Sequence, residues 1–207
     1  MNDPNLNTLL KWSVENSEAS KGPDASRTPL NPEAIAALFG QQKSDAQRME
    51  EELAVIDNQD GTRRLEDRLT AFDNYEMLVE NLDNANNMES LGHWTRLVKH
   101  LEDAESEIRM YAAWCCATAV QNNLRSQERL LVLDAVPTLA KLATQDTDKA
   151  VRKKAILALS SAIRNFQPSL DAAIPNIPED IRPKGGLDAT DMDSIDNLVS
   201  DLRGKYA

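Results

Sequence analysis

The chain repeats itself at an interval of 42 to 43 residues, and no other feature of the sequence constrains the fold as strongly. Ile108-Arg109 is matched by Val151-Arg152, and Ala119-Val120-Gln121-Asn122 is matched by Ala162-Ile163-Arg164-Asn165. Repeats of this length are helical units that stack side by side, each burying its apolar face against the next. The sequence therefore predicts an all-α solenoid.

The corner within the repeat separates two classes of helical repeat. Asp134-Ala135-Val136-Pro137-Thr138-Leu139 has a small residue and then a proline where a helix opens, and Asp146 to Asp148 precede a long third helix. Three helices per unit are typical of armadillo repeats. We therefore predict a right-handed armadillo-like α-solenoid of about three short repeats.

Phe72 to Leu101 is predicted to form a helix, a corner and a second helix. Apolar residues on both sides of the polar run Asp83-Asn84-Ala85-Asn86-Asn87 recur at spacings of three and four. The Asn and Asp side chains of that run can hydrogen-bond their own backbone, as they do in turns. Ala85 is the small apolar residue of the run, so we expect an exposed corner that another backbone can approach closely.

The chain divides into three predicted regions. Residues 1–44 form a flexible N-terminal arm, in which a Ser-, Pro- and Gly-rich linker separates two short amphipathic helices. Residues 45–175 form the solenoid, and prolines interrupt the helical pattern beyond Asn165. The acidic C-terminal tail, residues 176–207, has an amphipathic pattern from Met192 to Leu202. That pattern is either a helix that caps the solenoid or part of a solvated tail.

Charge and cysteine usage exclude several kinds of partner and compartment. A net charge of −11 and a pI near 4.7 argue against nucleic acid and against an anionic membrane surface. Cys115 and Cys116 are neighbours in an apolar helical run, where adjacent side chains diverge, which favours a reducing compartment. The N-terminus has neither the basic nor the apolar region of a secretory signal. We therefore expect a cytosolic or nuclear protein and assign it to the cytoplasm.

The residues that catalysis or cofactor binding would require are missing or poorly placed. The sequence has no glycine-rich phosphate loop. His93 and His100 have no accompanying Glu-x-x-His or Cys-x-x-Cys pattern, which argues against a metal site. The two cysteines lie in a core-like run without a positioned base. We therefore predict a monomer that is not an enzyme and binds no cofactor, nucleotide or metal.

The repeat offset aligns side chains on successive long helices. It places Glu76 over Thr118 and Ser161, and Phe72 over Trp114 and Leu157. Such helices line the groove of an armadillo fold, so polar residues and Trp114 along them are predicted to face a protein partner. A solvated helix surface, and a core position for Trp114, remain as alternatives. The Trp with Asn four residues later that import receptors use to clamp basic peptides is missing. The predicted partner-binding residues are Glu76, Glu80, Trp114, Thr118, Gln121, Asn122, Arg125, Ser161 and Arg164.

The sequence of the central stretch resembles that of a known family. Phe72-Asp73-Asn74-Tyr75-Glu76-Met77-Leu78-Val79-Glu80-Asn81-Leu82-Asp83-Asn84-Ala85-Asn86-Asn87 resembles the signature of the Fes-type nucleotide-exchange factors of the 70-kDa heat-shock chaperones, an armadillo-repeat co-chaperone family. Three more segments match in the same order, over roughly the first 165 residues. They are Leu9-Leu10-Lys11-Trp12-Ser13, Ala37-Leu38-Phe39-Gly40 and Ala119-Val120-Gln121-Asn122-Asn123-Leu124.

This resemblance implies that the solenoid binds the ATPase domain of the chaperone, accelerates ADP release and so promotes client release and folding. It also implies that Leu9, Leu10 and Trp12 of the arm act at the chaperone's peptide-binding domain. The other interpretation is a scaffold or adaptor with an unrelated partner. The corner is expected to contact the chaperone unless it is purely a structural turn. Its residues are Asp83, Asn84, Ala85 and Asn86.

Overall fold

The computed structural model describes residues 4–17, 32, 35–36 and 43–207, which belong to two compact units, Met1–Ser44 and Asp45–Ala207. The described part of the first unit contains helix α1, Pro4–Glu15, on which Leu10 is exposed and Trp12 is half-buried. The Ala37-Leu38-Phe39-Gly40 motif and most of the second predicted arm helix lie outside the described residues.

The second unit is entirely helical. Two short 3-10 helices, His100–Glu102 and Ile174–Asn176, supplement its α-helices, and none of its residues is in a strand. The predicted all-α, armadillo-like solenoid is confirmed. No helix in the described parts of the chain is long and apolar enough to cross a membrane. The α-helices are α2 (Asp45–Asp57), α3 (Leu65–Val79), α4 (Leu82–Ser90), α5 (His93–Lys99), α6 (Ser106–Val120), α7 (Leu124–Val132), α8 (Ala135–Gln145), α9 (Lys149–Ile163), α10 (Gln167–Ala173) and α11 (Met192–Tyr206).

Three long helices, α3, α6 and α9, stack side by side and form the spine of the second unit. The starts of α6 and α9 are 43 residues apart, which matches the interval of the sequence repeat. Both helices bury small side chains, such as Ala113, Cys116 and Ala158. Small residues let helix axes approach closely, so a core with few aromatic residues can still be tightly packed.

Left-handed backbone recurs in register with the helices. Gly92 and Asp134, 42 residues apart, precede α5 and α8 with φ angles of 70° and 56°. Asn122 and Asn165, 43 residues apart, follow α6 and α9 with φ angles of 52° and 56°. Gly, Asn and Asp are the residues that tolerate this conformation best. Each repeat therefore turns its chain at equivalent places.

The predicted corner after α3 is displaced from its expected position. The chain turns at Glu80 and Asn81, and the run Asp83 to Asn87 lies inside α4. The Asn81 side chain accepts hydrogen bonds from the backbone N–H groups of Asp83 and Asn84 at 2.9 and 3.4 Å. Asn is a preferred N-cap residue, so Asn81 starts the helix and the polar run continues it.

An arginine near the start of each long helix holds the end of the preceding segment. Arg68 donates to the Ile56 carbonyl at 2.9 Å. Arg109 donates to the carbonyls of Asp103 and Ala104, both at 2.9 Å. Arg152 donates to the carbonyls of Asp146 and Thr147 at 2.7 and 3.1 Å. These bonds satisfy carbonyls at the end of α2 and in the loops that lead into α6 and α9.

The same arginines connect one repeat to the next. Arg68 pairs with Asp103 at 3.1 Å, and Arg109 makes two parallel bonds to Asp146 at 2.8 and 3.0 Å. Arg152 instead donates to the Tyr206 carbonyl, at 2.6 Å, in the last turn of α11. Two-pronged bonds between guanidinium and carboxylate fix orientation as well as distance. We call Arg68, Arg109 and Arg152 the arginine ladder.

Helix α11 covers the outer face of α9 and runs antiparallel to it. Arg164, at the end of α9, pairs with Asp196 near the start of α11 at 2.5 Å, whereas Arg152, at the start of α9, bonds the last turn of α11. The tail was predicted to be either a capping helix or a solvated segment, and in the structure it forms the packed helix. The compact unit therefore extends past residue 175 to Ala207. The side chains that α11 buries are Ile195, Leu198, Val199 and Leu202.

Replacing Arg109 by Met should lower the free energy of unfolding by about 3 to 5 kcal/mol at pH 7, because it leaves a nearly buried carboxylate without its partner. The Asp146 side chain is 4% exposed and that of Arg109 is 15% exposed. Urea unfolding measures the change. Arg64→Met removes an exposed pair with Asp67 and is the matched control, with an expected loss below about 1 kcal/mol.

The effect of Arg109→Met should also depend on pH. Burial raises the pKa of Asp146, but hydrogen bonds from Arg109 and the Asp148 N–H outweigh it and hold the pKa below its ordinary value of 3.8. A carboxyl with a depressed pKa stabilises the fold above its unfolded pKa and loses that contribution as pH falls through its folded pKa. The gap between wild type and variant should therefore narrow below about pH 4. A gap that stays constant down to pH 3 would contradict the assignment.

Candidate functional site

An open groove runs across the spine of the second unit, and most of the predicted partner-binding residues line it. Two adjoining depressions share Gln121, Asn122 and Leu157. These residues lie together because the repeat register brings equivalent turns of α3, α6 and α9 into one line. The groove lining comprises Glu76, Glu80, Trp114, Thr118, Gln121, Asn122, Leu124, Gln127, Leu157, Ser160, Ser161, Arg164 and Asn165.

Some lining residues were missed by the sequence reasoning, and one could have been found. Asn165 is the repeat equivalent of Asn122, so the 43-residue offset already pointed to it. Gln127 had no such signal. Its amide donates to the carbonyls of Ser161, Ala162 and Arg164 at 2.8, 3.3 and 3.0 Å, so it fastens α7 to the end of α9. That role depends on the packing of two helices, which spacing along the chain does not reveal.

Glu76 joins two of the long helices at the floor of the groove. Thr118 on α6 donates to its Oε1 at 2.5 Å, and Glu76 as a residue is only 5% exposed. Three acidic residues near Glu76 in sequence, Asp73, Glu80 and Asp83, are exposed. Glu76 is thus a packed, hydrogen-bonded carboxylate, whereas its neighbours present negative charge to solvent.

Aromatic rings cross from α3 to α6 beside this carboxylate. Phe72 stacks on Tyr111 with ring centroids 5.8 Å apart, and Tyr111 stacks on Trp114 at 5.7 Å. The Nζ atom of Lys154 on α9 lies 3.1 Å from the centroid of the Trp114 ring. Trp114 is half-buried and lines the groove, so neither a purely core position nor full exposure describes it.

Arg164 and Asn122 have structural roles as well as places in the groove. Arg164 donates to Ser160 Oγ at 3.2 Å and to Asp196 Oδ1 at 2.5 Å, which fastens the cap helix α11. Asn122 occupies one of the left-handed turns. Arg125 is exposed on α7 but is not among the groove-lining residues.

The expectation of an exposed corner is wrong for its central residues. Ala85 is 2% exposed and belongs to the hydrophobic core. Asn84 is buried, and its amide donates to the Asp45 carboxylate at 3.1 Å and to the Leu78 carbonyl at 2.9 Å. Asn86 is half-buried and Asp83 is exposed. Because α4 is a packed helix, the small side chain of Ala85 serves its approach to the core.

The two histidines are buried and belong to a polar network that fastens α2 to the repeat. His93 Nδ1 lies 3.1 Å from the Tyr75 hydroxyl, and its Nε2 lies 2.9 Å from Glu50. His100 Nε2 lies 2.9 Å from Asp57. No cluster suited to a metal ion occurs among the described residues. This arrangement accounts for both histidines as structural groups.

The negative charge of this polar network is balanced by Arg96, which bonds the carboxylates of both Glu50 and Asp57. It donates to Glu50 at 2.9 Å and to Asp57 at 2.6 Å. Burial raises the pKa of each carboxyl, but hydrogen bonds from Arg96 and the histidines outweigh it and lower both values. Burial also lowers the pKa of His93, which favours its neutral form. Burial raises the pKa of Cys116 to about 12, far above that of a reactive thiolate.

The fold and the open groove define an armadillo-like helical repeat protein. Two family models match the sequence. One is described as nucleotide exchange factor Fes1 and matches residues 6–88, and the other is the SIL1/FES1/HPBP1 C-terminal domain and matches residues 84–172. The chain therefore belongs to the Fes1 family of nucleotide exchange factors.

Full-length relatives have the same family name. The Hsp70 nucleotide exchange factor FES1 of Gibberella zeae is 48% identical, with 99% of this chain and 98% of that protein covered. A protein of the same name from Coccidioides immitis is 46% identical over 97% of this chain and 98% of its own length. The Hsp70 nucleotide exchange factor fes-1 of Neurospora crassa is 38% identical, with 98% of both chains covered.

Replacing Ala85 by Leu should destabilise the protein, because extra methylene groups in a filled core cost about 1 to 3 kcal/mol. For a chain of this size the thermal midpoint should fall by about 2 to 12 °C. Asn87→Leu, at an exposed position of the same helix, is the matched control and should change stability by no more than about 0.5 kcal/mol. Equal midpoints for the two variants would show that Ala85 is accessible after all.

Proposed function

We propose that this chain is a nucleotide-exchange co-chaperone that binds the ATPase domain of an Hsp70 and accelerates the release of ADP. The observation that carries the proposal is the match over almost the entire chain to proteins named Hsp70 nucleotide exchange factor FES1. The groove supports it, because it offers the chain a broad, rigid surface for another protein. Client release and protein folding follow when ATP refills the emptied site.

The physical requirement is a difference in affinity. A bound protein shifts the chaperone toward an open ATPase domain only if it binds the open, nucleotide-free form more tightly than the ADP-bound form. Linkage then makes the effect reciprocal: ADP weakens binding of the solenoid by the same factor as the solenoid weakens binding of ADP. The chain supplies binding energy and no covalent chemistry, so we propose that it is not itself an enzyme.

The stacked spine is suited to this task because it resists bending. The arginine ladder and the Glu76–Thr118 bond tie α3, α6 and α9 together, so the groove retains its shape when a partner is distorted against it. We propose that the groove faces the ATPase domain, with exposed Glu80 on the α3 side and Leu157 on the α9 side. Asp83 extends the negative charge beyond Glu80.

The N-terminal arm is proposed to have a separate role at the peptide-binding domain of the chaperone. Leu10 is 63% exposed, so the α1 helix displays apolar surface of the kind that a peptide-binding site takes up. A cytoplasmic site of action is also part of the proposal. It is supported by Cys115 and Cys116, both of which are free thiols in the core.

The binding of the ATPase domain should show the reciprocity directly. We expect saturating ADP to raise the dissociation constant of the protein by about 5- to 150-fold, and saturating protein to raise that of ADP by the same factor. Calorimetric titrations of each ligand, with and without the other, measure both factors. An ADP effect of less than twofold would contradict exchange activity.

The same titration locates the binding face. Glu80→Arg reverses an exposed charge in the groove and should weaken binding by at least about tenfold if Glu80 is a central contact. Asp201→Arg makes the same charge change at an exposed position of α11, outside the groove, and serves as the matched control. Equal losses for the two variants would indicate a nonspecific charge effect and exclude the groove as the interface.

Alanine at Leu9, Leu10 and Trp12 together should leave ADP release within about twofold of wild type but slow the release of a fluorescent client peptide. The physical reason is that the solenoid binds the ATPase domain, whereas these side chains compete for the peptide site. Lys11→Ala, on the same helix, is the control. An equal loss of both activities in the triple variant would instead assign the arm to the solenoid interface.

A further inference from the structure

Lys154 occupies an unusual position against the groove-lining Trp114. Its ammonium group lies over the face of Trp114, 3.1 Å from the ring centroid, and the other stacking partner of that ring is Tyr111. The lysine comes from α9 and the tryptophan from α6, so the contact spans two repeats. Cation–π contacts of this kind favour Trp over the other aromatic side chains.

Lys154 differs from the arginines of the spine in what it contacts. Those arginines donate to carboxylates or backbone carbonyls, whereas no ion pair within 4 Å is found for Lys154 among the described residues. Its pKa is lowered, mainly because burial disfavours the charged form, although Glu76 opposes that effect. The ammonium thus loses hydration without gaining a close anion, which makes the contact easy to displace.

Negative charge surrounds the tryptophan on the α3 side. Glu76 lies close enough to act electrostatically on both Lys154 and Tyr111, and Asp73 also acts on Tyr111. Only the Oε1 atom of Glu76 is engaged by Thr118, and a carboxylate can accept several more hydrogen bonds. Glu80 adds an exposed charge to the same depression. An aromatic face beside carboxylates is a site for a cation.

We propose that Trp114 and Glu76 form a subsite for a cationic side chain of the partner, and that Lys154 fills it while the protein is unbound. This inference rests on the proposed function, since it names the chemistry that the groove recognises on the ATPase domain. An arginine fits best, because its planar guanidinium stacks on the indole while its N–H groups reach the carboxylate. Lys154 is displaced toward solvent when the partner arginine enters.

Lys154→Met tests the idea, because it keeps the length of the side chain and removes the competing charge. The affinity for the nucleotide-free ATPase domain of an Hsp70 should rise by about three- to tenfold. Lys153→Met makes the same charge change at the preceding position of α9, which is exposed, and its affinity should stay within about twofold of wild type. If Lys154→Met matches Lys153→Met or weakens binding, Lys154 does not fill a partner site.

The gain must also depend on the proposed site. In the Trp114→Leu background, Lys154→Met should give no gain, because the cation has lost its aromatic platform. Glu76→Gln retains a hydrogen-bond acceptor for Thr118 while removing the charge, and so provides a second background in case Trp114→Leu unfolds. A full gain in either folded background would overturn the assignment.

A small-molecule probe separates this inference from the proposed function. If wild type does not bind the ATPase domain at all, the exchange proposal fails, but the subsite can still be examined with N-acetylarginine amide. In Lys154→Met this probe should change the Trp114 fluorescence in a saturable way, and the change should disappear in Trp114→Phe/Lys154→Met. A signal that does not saturate, or that survives the loss of Trp114, would overturn the subsite itself.

Discussion

The arginine ladder is the interaction on which the rest of the structure depends. Each guanidinium performs two tasks: it satisfies carbonyls of the segment before its own helix, and it bonds the next repeat or, for Arg152, the last turn of α11. Helical repeats contact only their neighbours, so any register between them must be set locally. Apolar packing alone is nondirectional and would tolerate sliding. The paired bonds from Arg109 to Asp146 specify a single register.

That register creates the groove. With the long helices aligned, Glu76 meets Thr118 across one interface and Trp114 meets Lys154 across the next. A slip of one turn, about 5.4 Å, would separate both pairs. The groove is therefore built from the long helices together with the turns that follow them, such as Asn122 after α6. Much of its lining comes from equivalent positions on consecutive repeats, which carry different side chains.

Much of this could be predicted from the sequence, and the errors have physical causes. The 43-residue interval correctly placed Glu76, Trp114, Thr118 and Arg164 along one surface, because a repeat carries its spacing in the chain itself. Ala85 was misplaced because a polar run is compatible both with a turn and with the solvent-facing side of a helix. The N-cap Asn81 makes this run helical. The partnership of Gln127 with α9 arises from tertiary packing, which local patterns do not encode.

The reversed direction of α11 affects how copies of the chain can associate. Stacked repeats are related by one operation, a rotation with a translation, and that operation could continue from the end of one molecule into the beginning of another. A helix laid antiparallel on α9 breaks the operation, since its outer surface is not a copy of any earlier face. The solenoid is thereby terminated by symmetry as well as by burial of its apolar end. A second copy therefore cannot stack on the α11 face by the operation that relates the repeats.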